Sequence, residues 1–232
     1  MKKAFFITFF WLFFQLLNAQ PTLIMSRALD GSGQEQYRMI RQLEDFSPEE
    51  FTPQDKERIA AKLRDVNTPH RDKYMLLAGY LELTAALEAV PKSTLTSEKL
   101  KRSHGLALVR AGVKSTERIL LKNIKALDYD DEFTYDVLPL LMYTHSRVIY
   151  DYVIELVLTE NLSCLPPDPH ASGNIDCGYR LMEALAEVIV DFPFELGPSG
   201  DIEVADYRKA LQETRNWLRR HRQDYQIVAG KY

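Results

Sequence analysis

Two adjoining stretches decide the fold: Ser97–Gly112 (SEKLKRSHGLALVRAG) and Ser115–Thr144 (STERILLKNIKALDYDDEFTYDVLPLLMYT). In the first, Ser97 opens a helix whose apolar side carries Leu100, His104, Ala107, Leu108 and Ala111 at helical spacing. Gly112 fits its C-terminal cap, where a left-handed residue is needed. In the second, Ile119, Leu120, Ile124 and Leu127 read as an inner helix face. Asp128-Tyr129-Asp130-Asp131 is a tight polar turn. A second helix follows, with Phe133, Val137, Leu140, Leu141 and Thr144 on one side and Tyr135, Leu138 and Met142 on the other. Pro139 lies inside it and predicts a kink, because proline lacks the N–H of the helix ladder.

Working outward, residues 146–161 are apolar nearly all round, through Val148, Ile149, Tyr152, Val153, Leu156 and Val157. Such a helix is an inner one, covered on both sides. A loop over 162–175 follows, longer than helix–helix connections usually are. Met182, Leu185, Ala186 and Ile189 mark another helix, and a second long loop covers 193–202. In the last helix Tyr207, Ala210, Leu211, Thr214, Trp217, Leu218 and His221 are expected to face inward. Lys209, Gln212, Arg215, Asn216, Arg219 and Arg222 are expected to face out. One apolar face is what the end of a stack requires.

Toward the N-terminus a short helix is expected over 34–45. Thr52-Pro53 is an N-cap with proline at the first helical position, and Ile59, Leu63 and Val66 share the inner face of the helix it starts. Thr68-Pro69 starts the next, running to about Ala89, with Pro91 beyond its end. No stretch shows the alternation of a sheet. The expectation is an all-α fold, a right-handed stack of antiparallel helix pairs, forming a single repeat domain over residues 34–232 behind a flexible lead at 20–33.

Three pieces of this pattern resemble the HEAT family of α-solenoids, mainly over residues 97–192. They are His104–Gly112, the Asp-bearing turn Leu127–Glu132, and a proline-kinked helix. The chain departs from the family in having Pro139 in the second helix of the pair and Phe133-Thr134 where Val-Arg is usual. The resemblance implies binding of a protein or peptide along a groove. It brings no catalytic residues.

Residues 1–19 read as a secretory signal. Lys2 and Lys3 precede a run from Phe5 to Leu17 that is apolar except for Thr8 and Gln15. Leu17-Asn18-Ala19 fits a cleavage site before Gln20. The run is shorter than the roughly 20 residues of a spanning helix; the alternative is an uncleaved anchor. The expected location is secreted or periplasmic, with no stable membrane insertion after removal of the signal. Cys164 and Cys177, the only cysteines, then suggest one disulfide, the alternative being buried thiols. The charge of −4, or −6 without the two leader lysines, argues against nucleic acid as a partner.

The five histidines are scattered, and no nucleophile elbow, zinc motif or phosphate loop occurs. No catalytic residue, metal site or cofactor is therefore assigned. Asp128, Asp130, Asp131 and Glu132 could suggest calcium, but they lack the glycine and closing Glu of a calcium loop. Capping and the helix dipole account for acids before a helix. The same dipole accounts for Arg219-Arg220-His221-Arg222 at the last helix end. All twelve tyrosines follow the signal, and Tyr143 shares a helical face with Glu132, Asp136 and Pro139, so it is expected to be exposed. The reading is an exported scaffold for a protein or peptide partner, with Asp128, Asp130, Asp131, Glu132, Asp136 and Tyr143 as the candidate binding surface. The acids would steer a basic partner, unless they only cap the helix. The alternative is an enzyme, or an accessory subunit, with its site in loops 162–175 and 193–202.

Overall fold

The computed structural model describes residues 23–160, 163–164 and 174–229. The signal segment 1–19, its cleavage before Gln20, and the loop residues Asp168 and His170 lie outside the described residues. What is described is helical apart from one two-stranded ribbon and isolated bridges. No helix in it is long and apolar enough to cross a membrane. The chain divides into two compact units, one ending at Ala111 and one beginning at Gly112.

The first unit contains α1 (23–30), α2 (Gly33–Leu43), α3 (Pro53–Arg64), α4 (Arg71–Tyr80), α5 (Thr84–Glu88) and α6 (Glu98–Arg110). Its centre is α4, packed on α2, α3 and α6. Tyr74, Met75, Leu77 and Ala78 are fully buried there, with Ile40, Leu43, Ile59, Leu63, Leu87 and Ala107 around them. The expected caps are present. Thr52 and Asp55 form a reciprocal capping box, the Asp55 amide donating to Thr52 Oγ1 at 3.1 Å. Ser97 Oγ accepts from the Leu100 amide at 3.2 Å, and Gly112 adopts φ +84°. His104 is buried, its Nε2 2.8 Å from the Leu87 carbonyl.

Four expectations change in this unit. Residues 23–30, expected to belong to a flexible lead, form α1 with Met25 and Ala28 fully buried. Helix α4 begins at Arg71, not beside Thr68-Pro69. It also ends at Tyr80 rather than near Ala89. Glu82 is left-handed at φ 54°, and the Leu83 and Glu82 amides return to the Ala78 and Gly79 carbonyls at 2.9 and 3.1 Å. That is a Schellman ending made without glycine. Val66 is 56 % exposed because α3 stops at Arg64 and leaves it in a turn.

The second unit contains α7 (Lys114–Ile124), a π-helical turn (Phe133–Val137), α8 (Leu138–Tyr143), α9 (Arg147–Leu158), the ribbon β1 (Ser163–Cys164) and β2 (Ile175–Asp176), α10 (Gly178–Val188) and α11 (Tyr207–His221). Helix α9 is the inner helix the sequence implied, packed on α7, α8, α10 and α11. Ile149, Tyr150, Val153, Ile154 and Val157 are fully buried in a core with Leu181, Met182, Leu185 and Leu218. The ribbon is antiparallel, Ser163 opposite Asp176. Cys164 and Cys177 are disulfide-bonded, with Cα atoms 5.1 Å apart.

Two outward–inward assignments reverse here. Ile119 and Leu127 are 62 % and 48 % exposed. Helix α7 docks instead through the stripe Glu117, Leu120, Leu121 and Ile124. Arg215, expected outside, is buried, while Trp217 is only half-buried.

Candidate functional site

The acidic turn opens the helix that follows it by capping it. The Phe133 amide donates to Asp130 Oδ1 at 3.0 Å, and Thr134 Oγ1 donates to the Asp130 carbonyl at 2.9 Å. This is the role that capping chemistry assigns to an acid at that position. Asp128, Glu132 and Asp136 are exposed, as is Asp130, and Asp131 is half-buried. Among the described residues no group of three or more His, Cys, Asp and Glu side chains is arranged to hold a metal ion.

The helix then changes pitch. The Leu138 amide reaches back five residues to the Phe133 carbonyl, and Pro139 sits in the first turn of α8. Pro139 has no N–H to give the carbonyl four residues earlier, so a wider turn at this point costs little that the proline has not already taken. One extra residue in the turn rotates everything after it by about 100° relative to an uninterrupted α-helix. Tyr143, expected to be exposed with Glu132, Asp136 and Pro139, is instead buried at 8 % exposure, while those three are exposed. The wet tyrosine of this segment is Tyr135, 50 % exposed and next to the exposed Asp136.

Arg180, near the start of α10, lies within electrostatic reach of the Tyr135 side chain. The same guanidinium reaches Glu183 Oε2 at 2.9 Å and Asp201 Oδ1 at 3.3 Å. Glu183 is buried, and Tyr207 Oη lies 3.0 Å from its Oε1 and 2.8 Å from the Ile202 carbonyl. Burial, then the Glu183 hydrogen bond and charge, push the Tyr207 hydroxyl up to about 12, so it stays a donor at neutral pH. Tyr179 meets the Tyr207 ring edge-on at 5.5 Å. One network thus links α10, the start of α11 and the loop 193–202.

The disulfide lies next to this network. Between its cysteines, Asp176 accepts from the Gly178 amide through Oδ1 at 2.8 Å and from Arg215 through Oδ2 at 3.0 Å. Arg215 also donates to the Val157 and Thr159 carbonyls, at 2.8 and 3.1 Å, and so satisfies the open end of α9. Thr134 Oγ1 is 3.7 Å from Cys164 Sγ. A Cβ at position 178 would meet Leu211 Cδ2 at 2.9 Å, so Gly178 lets α10 start this close to α11.

Sequence reasoning missed Arg180, Arg215 and Tyr207 as partners in one assembly. For Arg215 a signal existed. Leu211, Thr214, Arg215 and Leu218 stand at i, i+3, i+4 and i+7, the spacing of a buried stripe.

The chain matches no family model, no curated protein and no solved structure.

Proposed function

We propose that this chain is an exported interaction scaffold that holds a protein or peptide partner on the surface of its helical pairs, stacked in the HEAT-like manner. The observation that carries this reading is Tyr135, half of whose surface is open between the exposed Glu132 and Asp136. Aromatic rings that lose little freedom on contact are the usual anchors of binding surfaces. Exposed Glu132 and Asp136 flank it, with Asp128 and Asp130 in the preceding turn, so the partner presents Lys or Arg. Tyr135 takes the anchoring role in place of Tyr143. The Cys164–Cys177 bond is compatible with an oxidising, exported location, secreted or periplasmic.

Calorimetric titration of the purified protein with a Lys/Arg-rich peptide and an acidic peptide of equal length tests the reading. The basic peptide should bind, more weakly as salt rises. Tyr135→Ala should weaken it about thirtyfold, the loss of an anchor worth about 2 kcal/mol, and Tyr135→Phe should weaken it less. Equal affinity for the two peptides, or an unchanged Tyr135→Ala variant, rejects the surface.

A further inference from the structure

The outer side of α7 gathers cations where a surface helix ordinarily mixes its charges. Lys114, Arg118, Lys122 and Lys125, the last in helical conformation at the C-cap, are all exposed. At 3.6 residues per turn they fall within an arc of about 80°. Lys114 and Arg118, then Arg118 and Lys122, are like charges four residues apart, which repel. Lys114 and Arg118 also stand toward the positive end of the helix dipole. The one acid of the helix, Glu117, is turned inward, 5 % exposed, where it accepts from Ser146 Oγ at 2.7 Å and pairs with Lys114 at 3.2 Å. On α9, which packs against α7, Asp151 accepts from Tyr225 Oη at 3.0 Å and Glu155 from Arg222 at 2.7 Å. Those two acids are thus engaged by the C-terminal segment. Helix α7 ends at Ile124, so the acids from Asp128 onward do not continue the stripe. Ile119 lies beside the row of cations. At 62 % exposure it is the most exposed large apolar side chain among the described residues. We propose that this face docks the protein on an anionic lipid surface, the cations at the headgroups and Ile119 entering between them.

The argument is charge complementarity without shape complementarity. A specific protein interface covers about 800 Å² on each partner around a well-packed apolar core. One convex helix side with a row of cations and a single aliphatic side chain offers no such core. A fluid anionic surface requires none, because each cation near it contributes and one apolar side chain adds burial. The chain as a whole carries a formal net charge of −4, so its other faces are repelled by the same surface. Docking is therefore weak, reversible and oriented by α7. It is peripheral, since no helix among the described residues is long and apolar enough to cross a membrane. It does not use Tyr135 or the acidic turn, so it stands apart from the partner surface described above.

Co-sedimentation of the purified protein with phosphatidylglycerol/phosphatidylcholine vesicles decides the matter. The protein should bind in about 0.05 M salt and bind roughly tenfold more weakly in about 0.5 M salt, where screening is within a few ångströms. Arg118→Gln with Lys122→Gln should weaken binding about thirtyfold, each cation near such a surface being worth roughly a factor of five. Ile119→Ser should weaken it about fivefold, through the apolar area no longer buried. These side chains are exposed, so the variants should keep the circular dichroism of the parent. Where the double variant does not, Lys122→Gln alone, about fivefold weaker, takes its place. Three results overturn the proposal: no binding to the anionic vesicles, equal binding to vesicles of phosphatidylcholine alone, or undiminished binding by the charge variants. A protein that ignores vesicles yet binds soluble polyglutamate assigns the stripe to an acidic polypeptide and equally overturns it.

Discussion

In the first unit the buried arginine is Arg71; in the second it is Arg215. Both close the open C-terminal carbonyls of a neighbouring helix. Arg71 donates through Nε to the Leu63 carbonyl at 2.8 Å, through Nη1 to the Thr94 carbonyl at 3.2 Å and through Nη2 to the Thr94 hydroxyl at 3.1 Å. Arg215 does the same for Val157 and Thr159, and adds the Asp176 carboxylate. Burial lowers the pKa of Arg71, with the Asp65 charge offsetting part of it. The two units thus meet one problem, orphan carbonyls at a helix end, with a neutral partner set in one and an ion pair in the other. The ion pair ties the end of α9 to the chain beside the disulfide, and this coupling is absent from the Arg71 site.

The largest expected effect follows from that difference. Arg215→Ala leaves two carbonyls and a partly buried carboxylate without their cation, and should cost about 3–5 kcal/mol. Arg71→Ala removes hydrogen bonds without stranding a charge, and should cost about 1.5–3 kcal/mol. Denaturant unfolding of both variants measures the gap. Equal losses would mean that Asp176 adds nothing to the carbonyl bonds. This ordering reverses what residue type alone implies, since Arg215 reads as an ordinary surface site.

That reversal marks where the sequence stops being legible. Caps are local, and Thr52, Ser97 and Gly112 stand where the capping rules put them. The inner character of α9 and the Cys164–Cys177 bond were readable for similar reasons: an all-round apolar helix and two cysteines leave few alternatives. Arg215 was misread because its charge outweighed its position in the 211-214-215-218 stripe. The partners that make its burial tolerable are carbonyls on another element, which no local pattern encodes. Tyr143 was misread for a different cause. It lies at the C-terminal end of α8, where helical spacing from the exposed Pro139 does not tell what packs over it. Glu82 ended α4 in a conformation glycine usually takes, so no breaker announced it. These misses come from tertiary or backbone terms, whereas the helix over 23–30 and the ribbon of Ser163–Cys164 with Ile175–Asp176 were misread as lead and loop. Of the candidate surface, Asp128, Asp130, Glu132 and Asp136 are exposed as expected, whereas Tyr143 is buried.

The disulfide sharpens the contrast next. It closes a loop with a sequence separation of 13, and removing such a constraint should cost about 3 kcal/mol. Cys164→Ala with Cys177→Ala should raise hydrogen exchange in α10 and at the end of α9, while α4 and α6 keep their protection. Uniform loss of protection in both units would show that the two unfold as one body.

A smaller effect compares the caps. Thr52 and Asp130 each accept an amide hydrogen bond at a helix start, at 3.1 and 3.0 Å. Replacing either with Ala should cost about 1 kcal/mol, whereas Asp128→Ala, with an exposed side chain, should stay within about 0.5 kcal/mol. A loss at position 128 matching that at 130 would assign the whole turn a structural role and weaken the case for a binding surface there.

The smallest effect at neutral pH is the one that grows with alkalinity. In the first unit burial raises Tyr74 to about 12 and also raises Tyr80. In the second, burial raises Tyr129, Tyr152, Tyr207 and Tyr225, with Tyr207 at about 12. The ordinary value is 10.0. Between the ordinary and the raised values the unfolded chain releases protons that the folded chain keeps. Stability is therefore fully present below pH 10 and falls as pH climbs toward 12. Four such groups against two should make the second unit open first, since Tyr225 must also keep donating near Asp151, 3.0 Å away. Tyrosinate absorbance, followed with hydrogen exchange of peptides from each unit, reads both the titration and its location. Tyrosinate formation complete near pH 10 with exchange still slow would show that these hydroxyls ionise without cost. Opening of α4 before α10 would place the weaker tyrosine network in the first unit.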